Sequence, residues 1–213
     1  FFTNFSQEVD RDSLITGAVT FYESPVTISN VTISDTAFED AINLIRSPFN
    51  IKNLSVRNAK SDAIDLDFSS GSVNGLKIEN AGNDGIDLSG SVVEIVNMAI
   101  DKVADKAVSI GERSVVNGHY WNIKNAKLGI AIKDSSLVDI FESKVENLDI
   151  GLAIFQKKSE YGPSTGNIWR LESKAVNSLF LLESPSTLWF DGQKARANSD
   201  GLATSLYPSS EGS

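Results

Sequence analysis

The sequence predicts an all-β fold, a right-handed parallel β-helix solenoid with coils of about 22 residues and three short strands per coil. Three observations support this prediction: a 22-residue repeat, two aliphatic columns in register with it, and Asn or Gly at fixed positions between apolar segments. The two columns are separated by one residue, which is the spacing of consecutive inward side chains on a β-strand. They consist of Ile42, Ile64, Ile86, Val108, Ile130 and Leu152, and of Leu44, Leu66, Leu88, Ile110, Ile132 and Ile154.

Each coil contains two further alternating segments, of which Val26/Ile28 and Val31/Ile33 are the first examples. Asn and Gly tolerate left-handed backbone angles, so the positions that they share between these segments predict corners of the coil. The first corner column contains Asn30, Asn53, Gly75, Asn97, His119 and Glu142. The second contains Asp35, Asn58, Asn80, Lys102, Asn125, Asn147 and Asn177, and its stacked asparagines are expected to form hydrogen bonds along the column.

Two stretches depart from the repeat. The coil after Ile154 is longer by about six residues, and the polar, turn-rich segment 156–166 predicts an excursion from the solenoid. After Phe190 the chain becomes small and polar. We therefore divide it into a parallel β-helix over residues 1–192 and a polar tail over residues 193–213. That tail is interpreted as a linker or as a loose cover over the C-terminal end of the helix.

Composition narrows the classes of partner. The net charge of −9 argues against a nucleic acid, which would need a basic face. No apolar run approaches the length of a membrane span, and without cysteine the chain has no disulfide framework. The sequence starts at Phe1 without a methionine or a signal-like segment, so we expect a piece excised from a larger protein that supplies other domains as partners.

The repeat columns, the asparagine corners and the coil length over residues 14–190 resemble the pectate-lyase-like superfamily of right-handed β-helices. This resemblance implies an extracellular or cell-surface location and a polysaccharide partner. Its members include polysaccharide lyases, hydrolases and epimerases as well as tailspikes, adhesins and stalks. Two phrases, Asp105–Ser114 and Gly151–Lys158, resemble β-helical regions of large bacterial surface proteins that also carry kinase-like spore-coat (CotH-type) domains.

Acidic residues form the strongest candidate site. Asp65 and Asp87 occupy the outward position between the aliphatic columns on neighbouring coils, about 4.8 Å apart along the stack, and Asp67 is the next outward residue. Asp62 and Asp84 stack at the strand entrance. Close carboxylates repel unless a cation or a donor intervenes. Three alternatives follow: a solvated face neutralised by lysines, a calcium site formed by Asp62, Asp65, Asp84 and Asp87, or a carboxyl pair for glycoside hydrolysis.

A polygalacturonase-like activity is disfavoured, because the coil after Asp84 and Asp87 lacks the acidic pair and no Arg-x-Lys follows His119. A lyase or an epimerase would need a base. Lys133, two coils above Asp87 and about 10 Å along the stack, and Arg113 at a turn are the candidates, although exposed Lys and Arg are usually solvating charges.

The aromatic residues Phe155 and Tyr161 lie near the long excursion and are candidates to stack on sugar rings, with capping of the solenoid core as the alternative.

Two functional hypotheses remain open from the sequence. The first is a scaffold or polysaccharide-recognition face within a larger exported protein, without a cofactor. The second is a polysaccharide lyase, epimerase or hydrolase that acts at the acidic strand face, with calcium as its possible cofactor.

Overall fold

The computed structural model describes residues 16–207, which form a parallel β-solenoid of about eight turns. The all-β prediction and the coil length of about 22 residues are confirmed. The strands, in chain order, are β1 (Gly17–Tyr22), β2 (Val26–Thr36), β3 (Asp40–Ile45), β4 (Pro48–Ala59), β5 (Asp62–Asp67), β6 (Ser70–Ala81), β7 (Ile86–Ser89), β8 (Val92–Gly111), β9 (Val115–Lys133), β10 (Leu137–Phe155), β11 (Thr165–Leu182), β12 (Thr187–Phe190) and β13 (Gln193–Lys194), followed by helix α1 (Leu202–Leu206).

Successive coils pair in parallel with their repeats aligned. Ile42 pairs with Ile64, Ile64 with Ile86, and Ile86 with Val108. Both predicted aliphatic columns face inward and are buried. The small residue that precedes the first column is also buried, and a Cβ at Gly85 would lie 2.5 Å from the carbonyl oxygen of Ala107. The strand entrance therefore has no room for a larger side chain, which explains why only Ala or Gly occurs there.

The strands are longer than the three short ones predicted for each coil. In the lower coils the second and third segments join into one strand, such as β4, which bends at Asn53 with φ 53°. In β8, β9 and β10 all three segments are continuous. A single left-handed residue turns the chain while the residues on both sides keep their ladder hydrogen bonds, so a corner does not end a strand.

Most predicted corner residues have left-handed angles, but two positions differ. Tyr120 (φ 59°), rather than His119, forms the first corner of its coil, and Ala175 (φ 51°), rather than Asn177, forms the second corner of the last long coil. Other corner residues form hydrogen bonds between coils. Asn58 donates to Asp35 at 2.8 Å, and Asn80 donates to Asn58 at 2.9 Å.

A buried column of serines joins the coils at the remaining corner, just after the strands that carry the acidic residues. The backbone N–H of Ser69 donates to Ser91 Oγ at 2.9 Å, and the N–H of Ser91 donates to Ser114 Oγ at 3.0 Å. Ser91 Oγ in turn donates to the Leu66 carbonyl oxygen at 2.9 Å. The Ser91 hydroxyl thus satisfies a buried amide of the coil below and a buried carbonyl oxygen. A backbone amide of the preceding coil donates in the same way to the hydroxyl oxygens of Ser47, Ser69, Ser91, Ser114, Ser164 and Ser186.

The long coil and the chain end complete the solenoid. Residues 28 positions apart pair with each other on either side of the excursion, as Asn167 does with Asp139. The backbone amides of Lys157 and Lys158 both donate to Asp134 Oδ1, at 2.7 and 2.8 Å. The residues that follow β12 then turn back. Asn198 pairs with the last strand through hydrogen bonds to Leu182, and α1 lies on the outward side of the strands. The start of the tail thus pairs with β12, with Ala195 packed against the inner core, whereas α1 covers a side face.

No helix within residues 16–207 has the length and apolar character needed to cross a membrane.

Candidate functional site

The candidate site lies on the strand face, the name used here for the outward side of β3, β5, β7 and the last segments of β8, β9 and β10. Asn43, Asp65, Asp87 and Ser109 follow one another there on successive coils. Asn43 Nδ2 donates to Asp65 Oδ2 at 2.8 Å. These four side chains point outward because neighbouring side chains on a strand point to opposite sides, and the aliphatic residues before and after them point inward. The predicted proximity of Asp65 and Asp87 is confirmed by their direct register pairing.

Asp65, Asp67 and Asp87, called the acidic row from here on, are half-buried neighbours. Burial, followed by the charges of Asp67, Asp40 and Asp87, raises the pKa of Asp65 to about 9. Burial and the charges of Asp87 and Glu112 raise the pKa of Asp67 as well. The raised pKa values favour protonated carboxyls at Asp65 and Asp67, which offer O–H donors beside acceptor oxygens.

Asp62 and Asp84 at the strand entrance are already bound by protein donors. Asp62 Oδ1 accepts hydrogen bonds from Asn83 Nδ2 at 2.7 Å and from the amide of Asp84 at 2.9 Å. Asp84 Oδ1 accepts from the amide of Lys106 at 3.0 Å and from its Nζ at 3.2 Å. Burial raises the pKa of Asp84 to about 6 although Lys106 opposes the shift. These two carboxylates hold the entrance together.

Asp84 and Lys106 form a buried ion pair. Burial, the largest single effect, lowers the pKa of Lys106, but Asp84, Tyr207 and Asp105 together leave that pKa raised. Lys106 also pairs with Asp105. From the sequence, lysines were expected to neutralise this face in solvent, and a buried ion pair was not predicted.

Lys133 comes closer to the acidic row than its position along the stack suggests. Its Nζ donates to Ser109 Oγ at 2.8 Å and lies 3.9 Å from Asp87 Oδ1. A Cβ at Gly111 would lie 3.0 Å from this Nζ, so the missing side chain of Gly111 leaves space for the lysine. The expected 10 Å gap is bridged by the long side chain, and Lys133 belongs to the same site as Asp87. Lys133 is buried, its Nζ lies within ion-pair distance of that carboxylate, and its role as a base stays a prediction.

The C-terminal segment, residues 193–207, covers the upper strand face. Leu202 of α1 is 4% exposed and packs with Ala131, Ala153 and Phe155, of which Phe155 is fully buried. Small side chains in this part of the outward column let the helix approach closely. The Tyr207 ring lies 6.2 Å from the Phe155 ring. Phe155 therefore packs under the segment, and its ring is not available to stack on a sugar in this arrangement.

Arg113 and Tyr161 form a separate contact at the turns that follow the strand face. The Arg113 guanidinium lies 5.5 Å from the centre of the Tyr161 ring, and the Tyr161 hydroxyl lies 3.5 Å from Glu112 Oε2. Lys158 pairs with the same Glu112. These contacts anchor the excursion on the turn below it, so the two predicted site residues meet each other beside the acidic row.

The aromatic residues of the excursion do not form one cluster. Trp169 lies on the next face of the solenoid, where its ring stacks on Phe141 with centroids 6.0 Å apart and planes inclined by 25°. Phe141 is 38% exposed and Trp169 is 37% exposed. This stack favours packing between coils over binding to a flat ligand.

The expected calcium ligands are not arranged as a metal site. Among residues 16–207, no three or more His, Cys, Asp or Glu side chains are grouped so as to hold a metal ion. Asp62 and Asp84, two of the four expected calcium ligands, spend their oxygens on Asn83 and Lys106, so the four carboxylates do not fit a single calcium site as they stand. Calcium binding stays a prediction, which a calcium titration of the melting temperature would test.

No family model matches the chain, and no curated protein is similar enough to count as a relative. The fold assignment therefore stands on the repeat and the strand register, and functional arguments stand on the site itself.

Sequence reasoning missed Asn43, Ser109 and Phe68. The first two share the outward column of Asp65 and Asp87, so the same alignment would have found them. Phe68 lies in the turn after the acidic strand and belongs to none of the repeating apolar columns, so the repeat does not reveal it.

Proposed function

We propose that the chain is a non-catalytic polysaccharide-recognition module whose ligand lies along the acidic row. One observation carries this proposal: Asp65 and Asp87 pair in register on the strand face, where burial and the neighbouring carboxylates raise the pKa of Asp65. Sugar hydroxyls both donate and accept hydrogen bonds, so a row that offers both functions complements them. The rigid, in-register stack holds these groups at a fixed repeat of about 4.8 Å.

Charge narrows the ligand to a neutral glycan or one that carries amino groups. The chain has a net charge of −9, and the acidic row adds local negative charge where the ligand would lie. Like charges disfavour association by several kcal/mol when they are brought together. A polyuronate is therefore the least suitable partner, in contrast to what the pectate-lyase-like resemblance alone implies.

The wider setting follows from the resemblance. We propose that the solenoid belongs to the pectate-lyase-like group of β-helices and serves as an exported or cell-surface scaffold. Its other domains would then belong to the same larger chain, as in the CotH-type surface proteins.

The test is isothermal titration calorimetry with three oligosaccharide probes: chitosan (amino sugar), β-glucan (neutral) and oligogalacturonate (anionic). We expect binding of the amino-sugar or neutral probe and none of the anionic one. Replacement of all three residues of the acidic row by Asn should weaken binding by at least about tenfold, the equivalent of one lost charge-assisted hydrogen bond.

The matched control removes three exposed carboxylates elsewhere: Glu94→Gln, Asp149→Asn and Glu160→Gln. It removes the same number of acidic side chains and should bind as the unaltered chain does. Equal loss in both variants, or preferential binding of oligogalacturonate, would overturn the proposal.

Glycoside hydrolysis is a second candidate, favoured by the raised pKa of Asp65 and by its direct pairing with Asp87. A carboxyl with a pKa of about 9 remains protonated at neutral pH and can act as a general acid, while a neighbouring carboxylate acts as base or nucleophile. Release of reducing ends from the same probes tests it. Turnover that disappears in both Asp65→Asn and Asp87→Asn would establish an enzyme, and its absence in the unaltered chain leaves recognition as the function.

A further inference from the structure

Phe68 stands out among the turn residues that border the strand face. It follows Asp67 directly and adopts a left-handed backbone angle, φ 49°. Its amide donates to the Ser89 carbonyl oxygen at 2.7 Å, which fixes the turn at the level of the acidic row. Left-handed angles are common for Asn and Gly but unfavourable for a bulky aromatic residue. The local conformation therefore works against a phenylalanine at this position.

The ring of Phe68 gains little burial in return. The residue is 56% exposed, although an apolar ring is normally placed in a core. Equivalent turn residues on the neighbouring coils are used differently: Arg46 pairs with Glu23, and Glu112 pairs with Lys158. A strained backbone that presents an exposed ring, without a core contact to balance it, is a feature found at binding sites.

The next coil is shaped to receive this ring. A Cβ added to Gly90 would lie 2.5 Å from Phe68 Cδ1 and 2.7 Å from its Cε1. The ring thus extends over the space where any other residue at position 90 would carry its side chain. Gly90 also has a left-handed angle, φ 61°. Together the two residues place a broad aromatic surface at the edge of the strand face.

We propose that Phe68 is an aromatic subsite that stacks against one sugar ring of the glycan bound by the acidic row. The proposal rests on the proposed function. A pyranose ring has an apolar C–H surface and polar hydroxyls at its rim. An exposed aromatic ring next to carboxyl donors and acceptors matches both parts of such a ligand at once.

The test compares Phe68→Ala with Tyr120→Ala in calorimetric titrations with the chitosan and β-glucan oligosaccharides. Tyr120 is a close control, since it is also 56% exposed and also left-handed, with φ 59°, but forms a corner away from the acidic row. We expect Phe68→Ala to bind about tenfold more weakly and Tyr120→Ala to bind normally. Phe68→Trp should retain binding, because it keeps an aromatic surface.

A stability measurement separates a ligand role from a packing role. Phe68→Gly relieves the backbone strain, so its melting temperature should equal or exceed that of the unaltered chain while its affinity falls. A lower melting temperature with unchanged affinity would assign Phe68 to packing and overturn the proposal.

The failures of the two proposals are distinguishable. If the acidic-row variant loses binding while Phe68→Ala binds normally, only the aromatic subsite is wrong. If the unaltered chain binds none of the oligosaccharides, both proposals are wrong.

Discussion

Substitution of Ser91 by alanine removes one hydroxyl from the buried serine column and breaks two hydrogen bonds. The Ser69 amide loses its acceptor, which lies at 2.9 Å, and the Leu66 carbonyl oxygen loses a donor at the same distance. Ser69 and Ser91 are both buried, so water does not readily replace the hydroxyl. An unsatisfied buried amide costs about 1–3 kcal/mol, and we expect a loss of this size in the free energy of unfolding.

The effect is measured by urea denaturation together with native-state hydrogen exchange. Because a solenoid can unfold in parts, exchange at the Ser69 amide reports the local loss directly. Ser29→Ala is the control, since Ser29 lies exposed on β2. Its unfolding midpoint should change little. An unchanged midpoint for Ser91→Ala, with Ser69 still protected, would refute the role given to the serine column.

Two further predictions concern the strand face. The unfolded chain releases the Asp65 proton near pH 4, whereas the folded chain holds it until about pH 9. Between these values the free energy of unfolding therefore falls as pH rises, by at most about 1.4 kcal/mol per pH unit from this group. Asp65→Asn should lose less stability than the unaltered chain between pH 6 and pH 8, measured as urea midpoints, with Glu94→Gln as the control. An equal fall of the midpoint in Asp65→Asn and in the unaltered chain would contradict the raised pKa. Leu202→Ser should detach α1 from Phe155 and speed hydrogen exchange at the Tyr207 amide, which otherwise donates to Ala203. The exposed Thr204→Ala is its control, and continued protection of Tyr207 would show that Leu202 does not hold the segment.

The aliphatic columns were predictable because every coil meets the same environment above and below. A residue such as Ile86 packs between Ile64 and Val108, so the same residue type returns at each turn. Most corners were predictable for a related reason, since a left-handed angle selects Asn or Gly.

The wrong corners have a common origin in added residues. Leu88 pairs with Ile110 at the usual spacing, but the serine contact from Ser91 to Ser114 spans 23 residues, so the extra residue enters at the turn of Glu112 and Arg113. Neither His119 nor Tyr120 has a strong turn preference, so residue type alone could not position the shift.

The sequence by itself determined the repeat, the direction of side chains and the adjacency of Asp65 and Asp87, because all three follow from local periodicity. Only the tertiary structure decided which charges meet. Lys133 reaches Asp87 through a flexible side chain, and the C-terminal segment covers Phe155 after a reversal of the chain that no repeat encodes. The protonation of Asp65 likewise depends on burial among several carboxylates, a property of the assembled face and of no single residue.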